Sequence, residues 1–280
     1  MRALRDVLRT IRTAPGFTLA LVITLAAAAF NGLMVLLMAL RLDFLLPGPF
    51  AQMGHFTESH HRIHDLTFAF LFVPTLVGIL AQLRRPSRNV AGMLMALIPS
   101  IGLLLVVLLT AVAYGNARTL QPPWLTVMAG AVVALVLHPA GRDFFLSFTR
   151  SRISRTMLAM TAGASVPLLT LAVRSIVLQG TVGDDHAAAG HYGFMTAFAF
   201  TVIGVALLAT LRPDGWRLTA WVGGLLPLLL GVASLTYPTA SSSLSLPWAL
   251  STIAWGTGFV AAAESARHGE RPQPVGRVVR

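Results

Sequence analysis

The feature that most constrains this chain is a succession of long apolar stretches separated by short polar connections. Only 11% of its 280 residues are charged, and its mean hydropathy is +0.74. A soluble domain carries about a quarter charged residues, whereas about 20 consecutive apolar residues cross a bilayer as a helix. The sequence therefore predicts an all-α, polytopic membrane protein. We predict eight transmembrane helices over residues 17–41, 62–83, 90–114, 124–139, 156–178, 191–211, 217–236 and 247–264.

The arginines predict how these helices are oriented. The chain has 21 basic residues, all of them arginine, and a net charge of +11. With an even number of spans, all the arginines lie on the same side of the membrane except Arg41, Arg62, Arg118 and Arg174. Cytoplasmic connections are enriched in basic residues, so we predict a multi-pass protein of the plasma membrane with both termini in the cytoplasm. Because the arginines lie between apolar stretches, we expect no nucleic-acid partner.

The segment before the first span predicts a surface helix. Leu4, Leu8 and Ile11 share one helical face, and arginines surround the rest of it. A basic amphipathic helix of this kind lies on a membrane and binds anionic lipid head groups. The lipid bilayer and these head groups at the cytoplasmic face are therefore the predicted partners. The sequence leaves open whether there is a protein partner or an oligomer.

The two halves of the chain repeat each other. Several features recur in the same order, at offsets that drift from 131 to 124. They are His55 and His60 with His186 and His191, Arg84 with Arg212, Pro99 with Pro227, and Pro123-Trp124 with Pro247-Trp248. We predict two parallel four-helix repeats. Residues 1–139 form the first, with the basic N-terminus, and residues 140–280 form the second, with a basic C-terminal tail.

Histidines concentrate in the matched loops. The segment "HFTESHHRIHD", residues 55–65, holds four of the eight histidines, and "DDHAAAGHY" holds two more. Imidazoles beside carboxylates are ligands for zinc, copper or haem iron. The predicted metal ligands are His60, His61, His64, Asp65, Asp185, His186 and His191. Two other interpretations remain open: a proton relay, since histidine titrates near neutral pH, and a solvated loop.

Several function classes are disfavoured by what the sequence lacks. It has no cysteine, which excludes disulfides and thiolate metal sites, and no lysine for a retinal Schiff base. No ionisable residue falls near the middle of a predicted span, which weighs against an ion-coupled carrier. The serines of "GASVP" and "SSSLS" have no convincing base nearby, so a serine hydrolase is not expected.

One motif resembles a known family. Glu58-Ser59-His60-His61-Arg62 matches the E-x-x-H-R motif at the second span of haem A synthases, which also have eight spans in two parallel halves. The resemblance implies a haem at the outer rim, with Glu58, His61, Arg62 and His191 as cofactor-binding residues. This chain differs from the family in lacking its histidines in the fourth and eighth spans and the cysteine pair of its bacterial members.

These patterns predict an integral membrane protein that binds a transition metal (zinc or copper) or haem through a histidine and carboxylate cluster at its extracytoplasmic face. Two alternatives are enzymes: a membrane oxidoreductase resembling haem A synthase, and a metal-dependent hydrolase acting on lipid. A further alternative is a non-catalytic sensor or a subunit of a membrane complex. The sequence alone leaves open whether the protein is an enzyme.

Overall fold

A computed structural model describes residues 2–42, 45, 61–119, 121–149 and 152–268, and across these residues the secondary structure is helical, without strands. The main helices are α1 (Arg2–Thr13), α2 (Pro15–Ala39), α3 (Arg62–Gln82), α4 (Val90–Tyr114), α5 (Pro122–Val136), α6 (Arg155–Thr181), α7 (Asp185–Ala189), α8 (His191–Leu211), α9 (Trp216–Thr236) and α10 (Leu246–His268). Short helical turns at Pro86–Arg88, Gly141–Phe144 and Leu146–Thr149 lie between them.

Seven helices in the described part of the chain are long and apolar enough to cross a membrane: α2, α3, α4, α6, α8, α9 and α10. The predicted all-helical membrane protein is confirmed to this extent. The fourth predicted span corresponds to α5, which has only 15 residues. At 1.5 Å per residue it is about 22 Å long, against about 30 Å for a hydrocarbon core. The eighth span and the tandem repeat stay predictions.

Helices α3 and α8 form the centre of the bundle. They are the most buried of the seven spanning helices. They pack directly against each other, with Phe68 and Phe194 stacked at a ring-centroid distance of 4.0 Å. Phe72 of α3 stacks on Trp124 of α5 at 4.3 Å. Helices α6 and α10 are mostly exposed along apolar faces, which is the arrangement expected of helices that contact lipid.

Glycines permit two of the closest helix contacts. A Cβ atom on Gly256 of α10 would overlap the backbone oxygen of Gly224 in α9, and one on Gly78 of α3 would overlap that of Gly92 in α4. Small residues are enriched at membrane-helix interfaces because they let two backbones approach closely. These contacts therefore depend on the absence of a side chain.

The bundle has two chemically different ends. Helices α3 and α8 both begin at one end, which carries the histidines. The connections after them, 83–89 and 212–215, lie together at the other end, where the Ala91 backbone N–H donates to the Asp214 carbonyl over 2.9 Å. The Asp214 N–H in turn donates to the Ser147 hydroxyl over 2.6 Å. Arginine-rich connections thus lie opposite the histidine end.

Candidate metal centre

The beginnings of α3 and α8 bring histidines together. His61 immediately precedes α3, His64 and Asp65 lie in its first turn, and His191 is the first residue of α8. His186 lies in the short helix α7. All five side chains are buried. Because α3 and α8 start side by side, residues more than 120 positions apart in the sequence share one site.

The connection from α6 to α8 is held by hydrogen bonds to two side chains. Gln179, which is buried, donates to the Ala187 carbonyl over 2.7 Å and accepts from the Gly193 N–H over 3.0 Å. Asp184 accepts from the Ala187 N–H and from the Tyr192 hydroxyl, both over 2.8 Å. These bonds fix the turn that carries His186 and His191.

Four imidazole rings pack against one another. His61 and His186 are stacked, with ring centroids 4.3 Å apart, and His61 meets His191 edge-on at 4.7 Å. His64 stacks on His191 at 5.3 Å and meets His186 edge-on at 4.8 Å. One potential ligand nitrogen from each of His61, His186 and His191 lies within 4.8 Å of the other two. This three-histidine group is therefore able to hold a metal ion.

Carboxylates surround the imidazoles. Asp185 contacts two of them: its Oδ2 lies 3.0 Å from His61 Nε2, and its Oδ1 lies 3.1 Å from His186 Nδ1. Asp65 is buried, and its Oδ1 lies 3.6 Å from His191 Nε2. Asp184, Asp185 and His186 form a second group with ligand atoms close together. A carboxylate bonded to an imidazole fixes its tautomer and ring orientation, as in many metal sites.

Ser242 is the residue at this site that sequence reasoning missed. Its Oγ lies 2.9 Å from His64 Nε2, so the expectation that no base lies near the serines of "SSSLS" is wrong for this residue. Ser234 of α9 holds the loop: it accepts from the Leu244 N–H over 3.1 Å, and its carbonyl accepts from the Ser243 hydroxyl over 3.2 Å. No local pattern indicated the contact, because the two partners are 178 positions apart.

The structure brings six of the predicted site residues together: His61, His64, Asp65, Asp185, His186 and His191. The guanidinium carbon of Arg62 lies 4.7 Å from the centre of the Tyr237 ring, which is a cation–π contact, and the cofactor contact predicted for Arg62 stays a prediction. Glu58 and His60, like His55, lie outside the described residues.

His138 lies far from this site, at the arginine-rich end, just after α5. Its Nδ1 accepts from the Ala140 N–H over 3.2 Å, which leaves Nε2 to donate to Gln82 Oε1, also over 3.2 Å. Burial lowers the pKa of His138 to about 4. His138 is therefore a buried, hydrogen-bonded histidine, and neither of the candidate metal-ligand groups among the described residues includes it.

Fold and site together define a class of protein: a helical membrane protein with a buried cluster of histidine and aspartate side chains that is able to hold a metal ion. Comparison of the chain with protein-family models, with curated proteins and with solved structures finds no match. The resemblance to haem A synthases stays a prediction.

Proposed function

We propose that this membrane protein binds one transition metal ion, zinc or copper, at its extracytoplasmic end. The observation that carries the proposal is the group of three buried imidazoles, His61, His186 and His191, whose ligand nitrogens lie within 4.8 Å of one another. Neutral imidazole is a common ligand for both metals. Asp185, which contacts His61 and His186, supplies a fourth ligand or orients those two rings.

The spacing of the nitrogens is close to what a tetrahedral ion requires. Bonds of about 2.0–2.1 Å from zinc to nitrogen separate neighbouring ligand nitrogens by about 3.3 Å. Because the nitrogens lie within 4.8 Å of one another, contraction of the group by at most about 1.5 Å closes it around an ion.

The packing of the four imidazole rings favours a single metal ion, and not haem, as the cofactor. His61 and His186 are stacked at 4.3 Å, and His64 and His191 at 5.3 Å. Rings stacked at these distances would have to separate to admit a macrocycle between them. Haem, as implied by the resemblance to haem A synthases, is the alternative cofactor, and Arg62 and Glu58 are the residues that the resemblance would add.

The charge distribution supports the orientation. The histidine end lies opposite the arginine-rich connections, and basic connections favour the cytoplasm. If α5 completes an eighth crossing, both termini are cytoplasmic and the centre faces outward in the plasma membrane. The side-by-side starts of α3 and α8 support two parallel halves, residues 1–139 and 140–280.

Elemental analysis and an absorption spectrum test the proposal. We expect the purified protein, after incubation with zinc or copper and removal of excess metal, to retain about one ion per chain without a Soret band. A Soret band would instead establish the haem alternative. Protein that takes up neither metal nor haem after reconstitution would contradict both.

A second candidate function, metal-dependent hydrolysis, is favoured by the contact between Ser242 and His64. A hydroxyl within hydrogen-bonding distance of an imidazole is the arrangement in which histidine takes the proton of a nucleophile. A neighbouring metal ion would polarise a carbonyl or activate a water molecule. Ser242 is exposed and has φ of +61°, a left-handed conformation that costs energy in a residue other than glycine and is often found at functional sites. An ester or amide of a membrane lipid is the substrate class proposed.

We expect Ser242→Ala to lower metal-dependent hydrolysis of a fluorogenic ester by on the order of 100-fold or more, because removing a nucleophile or proton-transfer partner has effects of this size. Bound metal should not change. The matched control is Ser241→Ala, one residue earlier in the same loop. Equal hydrolysis rates in wild type and Ser242→Ala would contradict the hydrolase proposal. The proposal that the protein binds a metal ion would still stand.

A further inference from the structure

A cavity at the arginine-rich end remains unexplained by the metal centre. Its volume is about 490 Å³, within the range of small-molecule sites. It lies between α1 and the connection that joins α3 to α4. The lining residues are Arg9, Thr10, Thr13, Arg84, Arg85, Pro86, Ser87, Arg88 and Pro139.

The lining is strongly basic. Four arginines contribute to it, and their side chains are exposed. Thr10, Thr13 and Ser87 add hydroxyl groups. The guanidinium group pairs with phosphate through two parallel hydrogen bonds, which makes arginine the preferred residue for such anions.

Hydrogen bonds from Asn89 and Gln82 hold in place the connection that carries three of these arginines. Asn89 donates to the Ala81 and Arg85 carbonyls, each over 2.9 Å. Gln82 donates to the Asn89 carbonyl over 2.8 Å and lies 3.2 Å from His138. Arg84, Arg85 and Arg88 therefore extend, with exposed side chains, from a backbone turn that these hydrogen bonds hold in place.

We infer that this four-arginine cavity binds a phosphate group. The group is carried either by an anionic phospholipid at the same membrane surface or by a soluble phosphate compound. The cavity adjoins α1, whose Leu8 and Ile11 side chains are exposed, and this favours the lipid. The inference is independent of the proposed metal centre, which lies at the other end of the bundle.

A pair of double variants tests it. Arg84→Gln with Arg88→Gln removes two charges from the cavity, and Arg152→Gln with Arg155→Gln removes two exposed charges elsewhere at the same end. Native mass spectrometry would measure retention of phosphatidylglycerol against phosphatidylcholine, and equilibrium dialysis would measure binding of inorganic phosphate. We expect the cavity variant to bind its anion on the order of tenfold more weakly or worse, and the control to match wild type.

The two measurements also identify the source of the phosphate. Selective loss of phosphatidylglycerol retention supports a lipid site, and selective loss of saturable phosphate binding supports a soluble ligand. Equal losses of anion binding in the cavity variant and in the control variant would overturn the inference, because diffuse surface charge would explain them. The absence of saturable binding of either probe to the wild-type protein would overturn it as well. Arg84→Lys with Arg88→Lys keeps the charge but removes the paired donors, so it should also bind more weakly if the cavity is a site.

Discussion

Replacing His61 or His191 by alanine is expected to lower bound zinc or copper from about one ion per chain to below about a tenth. Each variant removes one of the three imidazoles whose nitrogens converge. The two histidines that remain would hold an ion far more weakly. Elemental analysis of protein purified after metal incubation, followed by titration against a competing chelator, measures the loss.

The control for this experiment is His138→Gln, which removes a histidine from the opposite end of the bundle. His138 forms hydrogen bonds with Gln82 and Ala140. The variant therefore tests whether the loss of a buried histidine lowers the metal content simply because the protein misfolds. It should retain the ion. Full metal occupancy in both His61→Ala and His191→Ala would show that the ion binds elsewhere, and the three-histidine proposal would fail.

Gly256→Val should destabilise the protein strongly. A Cβ atom at this position would overlap the backbone oxygen of Gly224 across the contact between α9 and α10. Overpacking of a well-packed interior costs about 1–3 kcal/mol and occasionally more, and here the obstacle is backbone, which cannot rotate away. Thermal unfolding of the detergent-solubilised protein can be measured as the loss of monodisperse protein with rising temperature. The unfolding temperature of the variant should be several degrees lower than that of wild type, or the variant should fail to fold.

Gly163→Ala is the matched control for this prediction. Gly163 lies inside α6, and a Cβ atom there would meet no atom within 4 Å. Alanine favours a helix by about 0.8–1 kcal/mol relative to glycine, so this variant should unfold at the wild-type temperature or slightly above it. If both variants unfold at the same temperature as wild type, α9 and α10 do not pack as closely as described.

The sequence predicted the helices well where apolar character alone defines them. The predicted spans 90–114 and 191–211 coincide with Val90–Tyr114 and His191–Leu211. The predicted span 124–139 fits less well, because α5 begins at Pro122 and ends at Val136. Proline is favourable in the first turn of a helix, where its missing N–H costs nothing. Past the end of α5, the buried contacts of His138 hold the chain in a turn, and such contacts leave no trace in local hydropathy.

Histidine density indicated the site, but its contacts depend on tertiary structure. The local clustering of His61, His64 and Asp65 was visible in the sequence, and the matched loop indicated His186 and His191. Ser242 was not predictable, because its partner is 178 positions away. The contact of Arg62 with Tyr237 was not predictable either, since the direction of a side chain at a helix start depends on its neighbours in space, and the cofactor contact predicted for Arg62 from the motif stays a prediction.

The exposure of Asp185 has a consequence for the exchange of an ion with the surroundings. Its side chain is 57% exposed, while the two imidazoles that it contacts, on His61 and His186, are 0% and 8% exposed. A cation approaching from the water meets this carboxylate before it reaches a buried nitrogen, and a departing cation passes it last. If the centre binds an ion as we propose, Asp185 is placed to affect how fast the ion enters and leaves, separately from how tightly the ion is held once inside.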